Sequence, residues 1–229
     1  MDLFSFDSPF MSFLGKAVEY MLVCLLCLIC SIPIVTAGAA ITAKYYVGMK
    51  LVRGEDTPFF RAYFKSFKDN FKQSTVIWII EILIGAFLAY DWYMIYEVGG
   101  ENFNQTLKIL LAILTLYLVM AGIAVFALIA RFEMRIKEAI KGALGYTYVN
   151  IARLLLVLVL TILPTVACFT YVKWLVGVWP VGSAVCLYII SYHFMKSFKK
   201  LEDHVLGNDE ESEINEESVE TVVTEDYSD

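Results

Sequence analysis

The sequence predicts an all-α integral membrane protein of about five transmembrane helices, with cytoplasmic amphipathic helices and a disordered acidic C-terminal tail. Three observations predict it. Of 229 residues, 59% are hydrophobic and 18% charged, with a mean hydropathy of +0.65, whereas soluble domains carry roughly 25% charge. The apolar residues fall in blocks of bilayer-spanning length rather than in stripes. Basic residues gather between alternate blocks, as loops kept in the cytoplasm do. Backbone in lipid must satisfy its own hydrogen bonds, and the short alternating bands of a barrel are absent, so the blocks read as helices.

In chain order the blocks run Ala17–Val35, Thr75–Ile95, Ile109–Ala130, Leu154–Val172 and Pro180–Met195. Seven basic residues lie between the first two, from Lys44 to Lys72. Five lie between the third and fourth, from Arg131 to Arg153, and Lys196, Lys199 and Lys200 follow the fifth. Those fifteen of the 18 basic residues share one side, against Lys16, Lys108 and Lys173 on the other. The bias predicts a multi-pass membrane protein with its N-terminus outside and its C-terminus cytoplasmic.

Two other readings of the first block stay open. Ala37-Gly38-Ala39 resembles a signal-peptide cleavage site, although the preceding "MDLFSFDSPFMSFLGK" has no basic n-region. Alternatively, Pro33 breaks the block into a re-entrant hairpin, a form tolerated where protein covers it.

The segment after the first block, "DTPFFRAYFKSFKDNFKQ", has Asp56 or Thr57 as a cap and Pro58 in a first helical turn. Phe60, Tyr63, Phe64, Phe67 and Phe71 then recur at spacings of three and four, with Arg61, Lys65, Lys68 and Lys72 on the opposite arc. A basic, aromatic helix of this kind lies on anionic lipid or docks a partner protein. The bland reading, lipid, has the stronger basis in residue type.

The tail, 202–229, contains twelve acidic residues and no Lys or Arg, so residues 1–201 carry +6 and the tail −12. It has too little apolar content to offset the entropy of ordering. The domains are therefore a membrane region, 1–201, and an acidic cytoplasmic tail, 202–229.

Glu81 sits well inside the second block, and an intramembrane carboxylate is by default a functional candidate for binding an ion or relaying a proton. No intramembrane basic partner is evident from the sequence, and a protonated, hydrogen-bonded packing role is the competing reading. Asp91 and Glu19 lie nearer the outer ends. The repeat Cys24, Cys27, Cys30 has metal-like spacing, but thiolates in hydrocarbon with no nearby His make packing the better reading. Cys168 and Cys186 also fall within or beside apolar blocks, and no disulfide framework is implied. His193 reads as a polar contact late in the last block, and His204 lies in the tail.

No zinc-protease pair, phosphate-binding Gly loop or nucleophile elbow is present, and two His leave little for a nucleophile–base arrangement. The expectation is a non-enzyme without metal or cofactor. Short basic segments flanking blocks do not suit nucleic acid.

"SIPIVTAGAAITAKYYVGMKLVRGED", "FFRAYFKSFKDNFKQSTVIW" and "FALIARFEMRIKEAIKGAL" resemble the YesL family of small bacterial integral membrane proteins, a domain-of-unknown-function family. The likeness covers most of 2–201, and Ser31 to Gly38 is its most specific piece. It implies a predicted membrane protein, with some members linked to carbohydrate uptake, and implies no catalytic or ligand residues. The sequence thus points to an accessory or permease-like transport component. The alternatives are a membrane scaffold or assembly factor, or an embedded enzyme using Glu81, Asp91 or Glu19. "KEAIKGAL" does not reproduce the ATPase-docking loop of ATP-driven sugar permeases: Ile140 replaces the second Ala and Leu163-Pro164 comes too late. The bilayer is the expected partner, together with a transporter subunit or other membrane protein.

Overall fold

The computed structural model describes residues 9–55, 58–98, 104–132, 134–170 and 181–202. All regular structure among them is helical. The acidic tail beyond Glu202, His204, Lys173, the Asp56–Thr57 cap and the side chain of Cys168 lie outside the described residues. Two compact units are distinguished, Met1–Ser191 and Tyr192–Asp229.

In the first unit, α1 spans Pro9–Cys30, and a single 3-10 turn, Ile34–Thr36, leads to α2, Ala37–Arg53. The turn explains the Ser31–Gly38 motif residue by residue. A helix leaves its last carbonyls without partners, and Pro33 cannot continue it. Ser31 Oγ donates to the Cys27 carbonyl at 2.6 Å, and Thr36 Oγ1 lies 2.5 Å from the Cys30 carbonyl and 2.8 Å from that of Pro33. The chain then reverses, and Tyr20 on α1 donates to the Gly48 carbonyl on α2 at 3.3 Å. The first apolar block is therefore most of α1 together with the turn that joins it to α2.

Helix α2 ends at Gly54, whose φ of 72° places it in the left-handed region where a Cβ would be strained. Glu55 then pairs with Lys50 at 3.1 Å and with Arg53 at 2.9 Å. The hydrogen bond it donates to Glu55 holds the Lys50 ammonium above its ordinary pKa.

Helix α3, Phe59–Tyr93, is 35 residues long and runs into a π-helical stretch, Met94–Val98. It returns antiparallel to α2: Trp78 Nε1–H donates to the Ile34 carbonyl at 2.7 Å, while Ser74, one turn earlier, lies beside Gly38. A Cβ on Gly38 would stand 2.6 Å from the Ser74 carbonyl oxygen. The missing side chain is thus what lets the two backbones meet. Thr42 and Ser74 hydroxyls share a buried hydrogen bond of 2.8 Å at the same seam. The segment read from sequence as a separate amphipathic helix is the first part of this one continuous helix.

Helix α4, Gln105–Arg131, runs antiparallel to α3. Gln73 donates to the Met134 carbonyl at 2.7 Å just past its end, Trp78 meets Phe126 at 6.2 Å, and Trp92 donates to Thr115 at 3.2 Å. Helix α5, Ile136–Val149, folds back so that Tyr117 on α4 donates to the Leu144 carbonyl at 2.8 Å. At its start, Glu138 Oε2 accepts from the Arg135 backbone N–H at 3.0 Å. Helix α6, Ile151–Thr170, follows, and α7 covers 181–202. In the second unit, Phe194 stacks on Phe198 at 5.5 Å and Tyr192 meets His193 edge-on at 6.1 Å.

By length and composition, two helices can cross a membrane among the described residues, Phe59–Glu97 and Gln105–Arg131. The pair Ile136–Val149 and Ile151–Ile162, bent by 102°, is a third candidate. Exposed Ile, Leu and Phe side chains stud α3 and α4, including Leu83 and Phe87 at 65% and 66% exposure. Such a surface suits lipid and does not suit water.

Candidate functional site

The small residues of α2 set the site. Ala37, Gly38, Ala39, Ala40 and Ala43 are buried, which lets α2 sit closely against α1, α3 and α4. Small residues allow such approach where the surroundings of a bundle are as apolar as its interior. The longer side chains of α2 then project into a cavity of about 710 Å³. That volume lies within the range of ligand pockets, roughly 300–1,000 Å³.

The cavity lining is predominantly apolar, with contributions from α1 to α7. Ile77, Ile84 and Leu88 of α3 line it, as do Leu118, Val125 and Phe126 of α4. Two opposite charges enter this surface, Lys44 from α2 and Glu81 from α3. Both are half-buried. The Lys44 ammonium lies 5.2 Å from the centroid of the Tyr45 ring, a cation–π distance. The Glu81 carboxyl group lies over the bare backbone of Gly122 on α4, where a Cβ would stand 3.1 Å from Oε1 and 3.3 Å from Oε2.

Lys44 and Glu81 do not form an ion pair with each other. Two separated opposite charges facing one low-dielectric space attract a ligand that carries the complementary pair.

The other expected site residues fall elsewhere. Asp91 and Glu19 are half-buried and do not line the cavity. Cys24, Cys27 and Cys186 line it as free thiols, and Cys30 is also free. No group of three or more metal-ligating side chains occurs among the described residues. Along the first part of α3, Ala62, Tyr63 and Ser66 face inward, and Tyr63 donates to the Ala40 carbonyl at 3.4 Å. Arg61, Lys65, Lys68 and Lys72 are exposed, as are Phe60, Phe64 and Phe71, with Phe67 half-exposed. The rings form a ladder, with Phe60–Phe64 centroids at 5.0 Å and Phe67–Phe71 at 5.6 Å. Aromatic and basic side chains therefore share one outward surface, with Tyr63 as the aromatic member turned inward.

Lys44 is the residue that sequence reasoning missed. Its position among loop lysines gave it the look of a solvated charge, whereas the fold turns it into the bundle. The available signal was local: Lys44 follows six small or β-branched residues and precedes Tyr45-Tyr46, a buried-helix pattern rather than a loop.

Residues 20–92 match the family described as "Protein of unknown function, DUF624". The match takes in the second half of α1, the Ser31–Gly38 turn, all of α2 and nearly all of α3. No curated protein matches the chain, and no solved structure does.

Proposed function

We propose that this chain is a non-enzymatic membrane component that holds a ligand inside its helix bundle and serves transport as an accessory or permease-like part. The observation that carries this reading is the 710 Å³ cavity, into which Lys44 and Glu81 bring opposite charges through a predominantly apolar lining. A cavity with few, separated polar groups favours binding over chemistry, which needs a nucleophile, a base and its orienting partner in mutual contact. The resemblance to the YesL family adds carbohydrate uptake as the process served. The arrangement proposed in the bilayer is five spans, with the N-terminus outside and the C-terminus and acidic tail in the cytoplasm. Reporter fusions within 99–103 should then read outside and fusions within 132–135 should read cytoplasm. The opposite pattern would overturn this topology.

A role as a scaffold or assembly factor is favoured by a different observation, the exposed ladder of Phe60, Phe64 and Phe71 beside Arg61, Lys65, Lys68 and Lys72. One pair of experiments separates the two. Deleting the chain should lower uptake of at least one sugar while passive leak is unchanged, and Lys44→Gln should reproduce the defect at normal expression. Full uptake across a sugar panel, with a membrane complex that dissociates on deletion, would establish the scaffold reading and overturn the first.

A further inference from the structure

The composition of the cavity narrows what it can hold. A metal ion lacks a ligand set among the described residues. A small inorganic ion would leave the apolar walls wetted, which the hydrophobic effect disfavours. A bare sugar presents hydroxyls all round, and most of them would face Ile, Leu, Val and Phe with their hydrogen bonds lost. The lining instead matches a molecule with two opposite charges and a long apolar body.

We propose that the cavity receives the headgroup of a zwitterionic amphiphile with its phosphate at Lys44 and its primary ammonium at Glu81. The chains of the amphiphile extend along the walls formed by α3 and α4. The proposal rests on the reading of the cavity as a ligand site and adds the chemical class. Lys44 supplies three N–H donors on a flexible stem, suited to phosphate oxygens. Glu81, when ionised, accepts from a primary ammonium that donates N–H; a quaternary ammonium has no N–H to give. Gly122 leaves the carboxylate room to turn toward the cavity, since any side chain there would meet Oε1 at 3.1 Å or press it aside. The Tyr45 ring beside Lys44 keeps the ammonium at the wall without neutralising it. Binding would bring both charges to satisfied partners in a space where an unpaired charge is costly.

The test titrates the full-length chain, purified in a neutral detergent, with short-chain phosphatidylethanolamine, phosphatidylcholine and phosphatidylglycerol, and counts bound lipid by native mass spectrometry. The expected result is one phosphatidylethanolamine held at least about tenfold more tightly than either of the others, roughly the effect of a single charge-assisted hydrogen bond. Glu81→Gln should abolish the preference, and Lys44→Gln should weaken retention of all three lipids alike, because each carries the phosphate. Gly122→Ala, a milder change, should displace the Glu81 carboxylate and shrink the preference over phosphatidylcholine severalfold while the melting profile stays intact. Equal retention of all three headgroups, or a preference that survives Glu81→Gln and Gly122→Ala, would overturn the proposal. Loss of sugar uptake on deletion with no headgroup preference would leave the transport reading standing and remove this one. Headgroup preference without an uptake defect would do the reverse.

Discussion

Gly122 on α4 lies directly against the carboxylate of Glu81 on α3, so a Cβ at 122 would stand 3.1 Å from Oε1 and 3.2 Å from Cδ. The contact is tight but meets the free end of a flexible side chain. Gly122→Ala should therefore fold, with Glu81 shifted by a few tenths of an ångström. Gly122→Leu should overpack the α3–α4 seam and cost about 1–3 kcal/mol. Thermal unfolding in detergent reads both. A Leu variant as stable as the parent would mean that the two helices are farther apart than described.

Gly38 presents a harder case. Its added Cβ would lie 2.6 Å from the Ser74 carbonyl oxygen and 2.7 Å from Trp78 Cβ, neither of which can rotate away. Gly38→Ala should separate α2 from α3 and break the Thr42–Ser74 hydrogen bond, with a loss of at least about 1–3 kcal/mol. Gly85, also on α3, has nothing within 4 Å of its added Cβ. Gly85→Ala should thus be neutral or gain about 0.5–1 kcal/mol from helix propensity. Comparable melting shifts for Gly38→Ala and Gly85→Ala would contradict the close approach.

Glu81 can be tested for role against packing. Glu81→Leu should be at least as stable as the parent, because a polar head in a largely apolar lining is costly to keep. Glu81→Gln should express normally and lose the ligand-dependent rise in melting temperature. A Leu variant that still shows the full ligand-dependent rise would remove Glu81 from the site.

The outward surface of α3 predicts a salt-dependent contact. Arg61, Lys65, Lys68 and Lys72 are exposed, and each basic group near an anionic bilayer contributes about 1 kcal/mol. Replacing all four with Gln should expose the 59–72 segment to protease in anionic vesicles at low salt. At 1 M salt, where the Debye length is about 3 Å, the variant and the parent should be cut alike. Equal cutting at low salt would assign this surface to protein contacts.

Much of this architecture was legible in the sequence, for identifiable reasons. Among the described residues, most of each long apolar block falls on helix, because helix is the backbone form that satisfies its own hydrogen bonds in lipid. Glu81 stood out because a carboxylate amid "STVIWII" and "ILIGAFLAY" has no bland surface explanation. The continuity of α3 was hidden by the change of pattern near Gln73, where an amphipathic stripe gives way to an apolar run. Hydropathy changes there, but nothing breaks the helix: no Gly or Pro lies between Pro58 and Gly85. Lys44 was hidden for a different reason. Charge bias counts a lysine by its place in the chain, and only the fold reversal at Ser31–Thr36 brings α2 back along α1 and into the bundle.

The most direct test of the account asks whether Lys44 and Glu81 face one space. In a background with the five native cysteines replaced, Lys44→Cys and Glu81→Cys would be combined, and a protease site would be placed in the 54–58 connection. A flexible bifunctional thiol reagent would then be added to membranes before cleavage. The account predicts that the two fragments stay joined, and that a control pairing Lys44→Cys with Asp91→Cys, which lies off the lining, separates. Fragments of the Lys44–Glu81 pair that separate as freely as the control would contradict it.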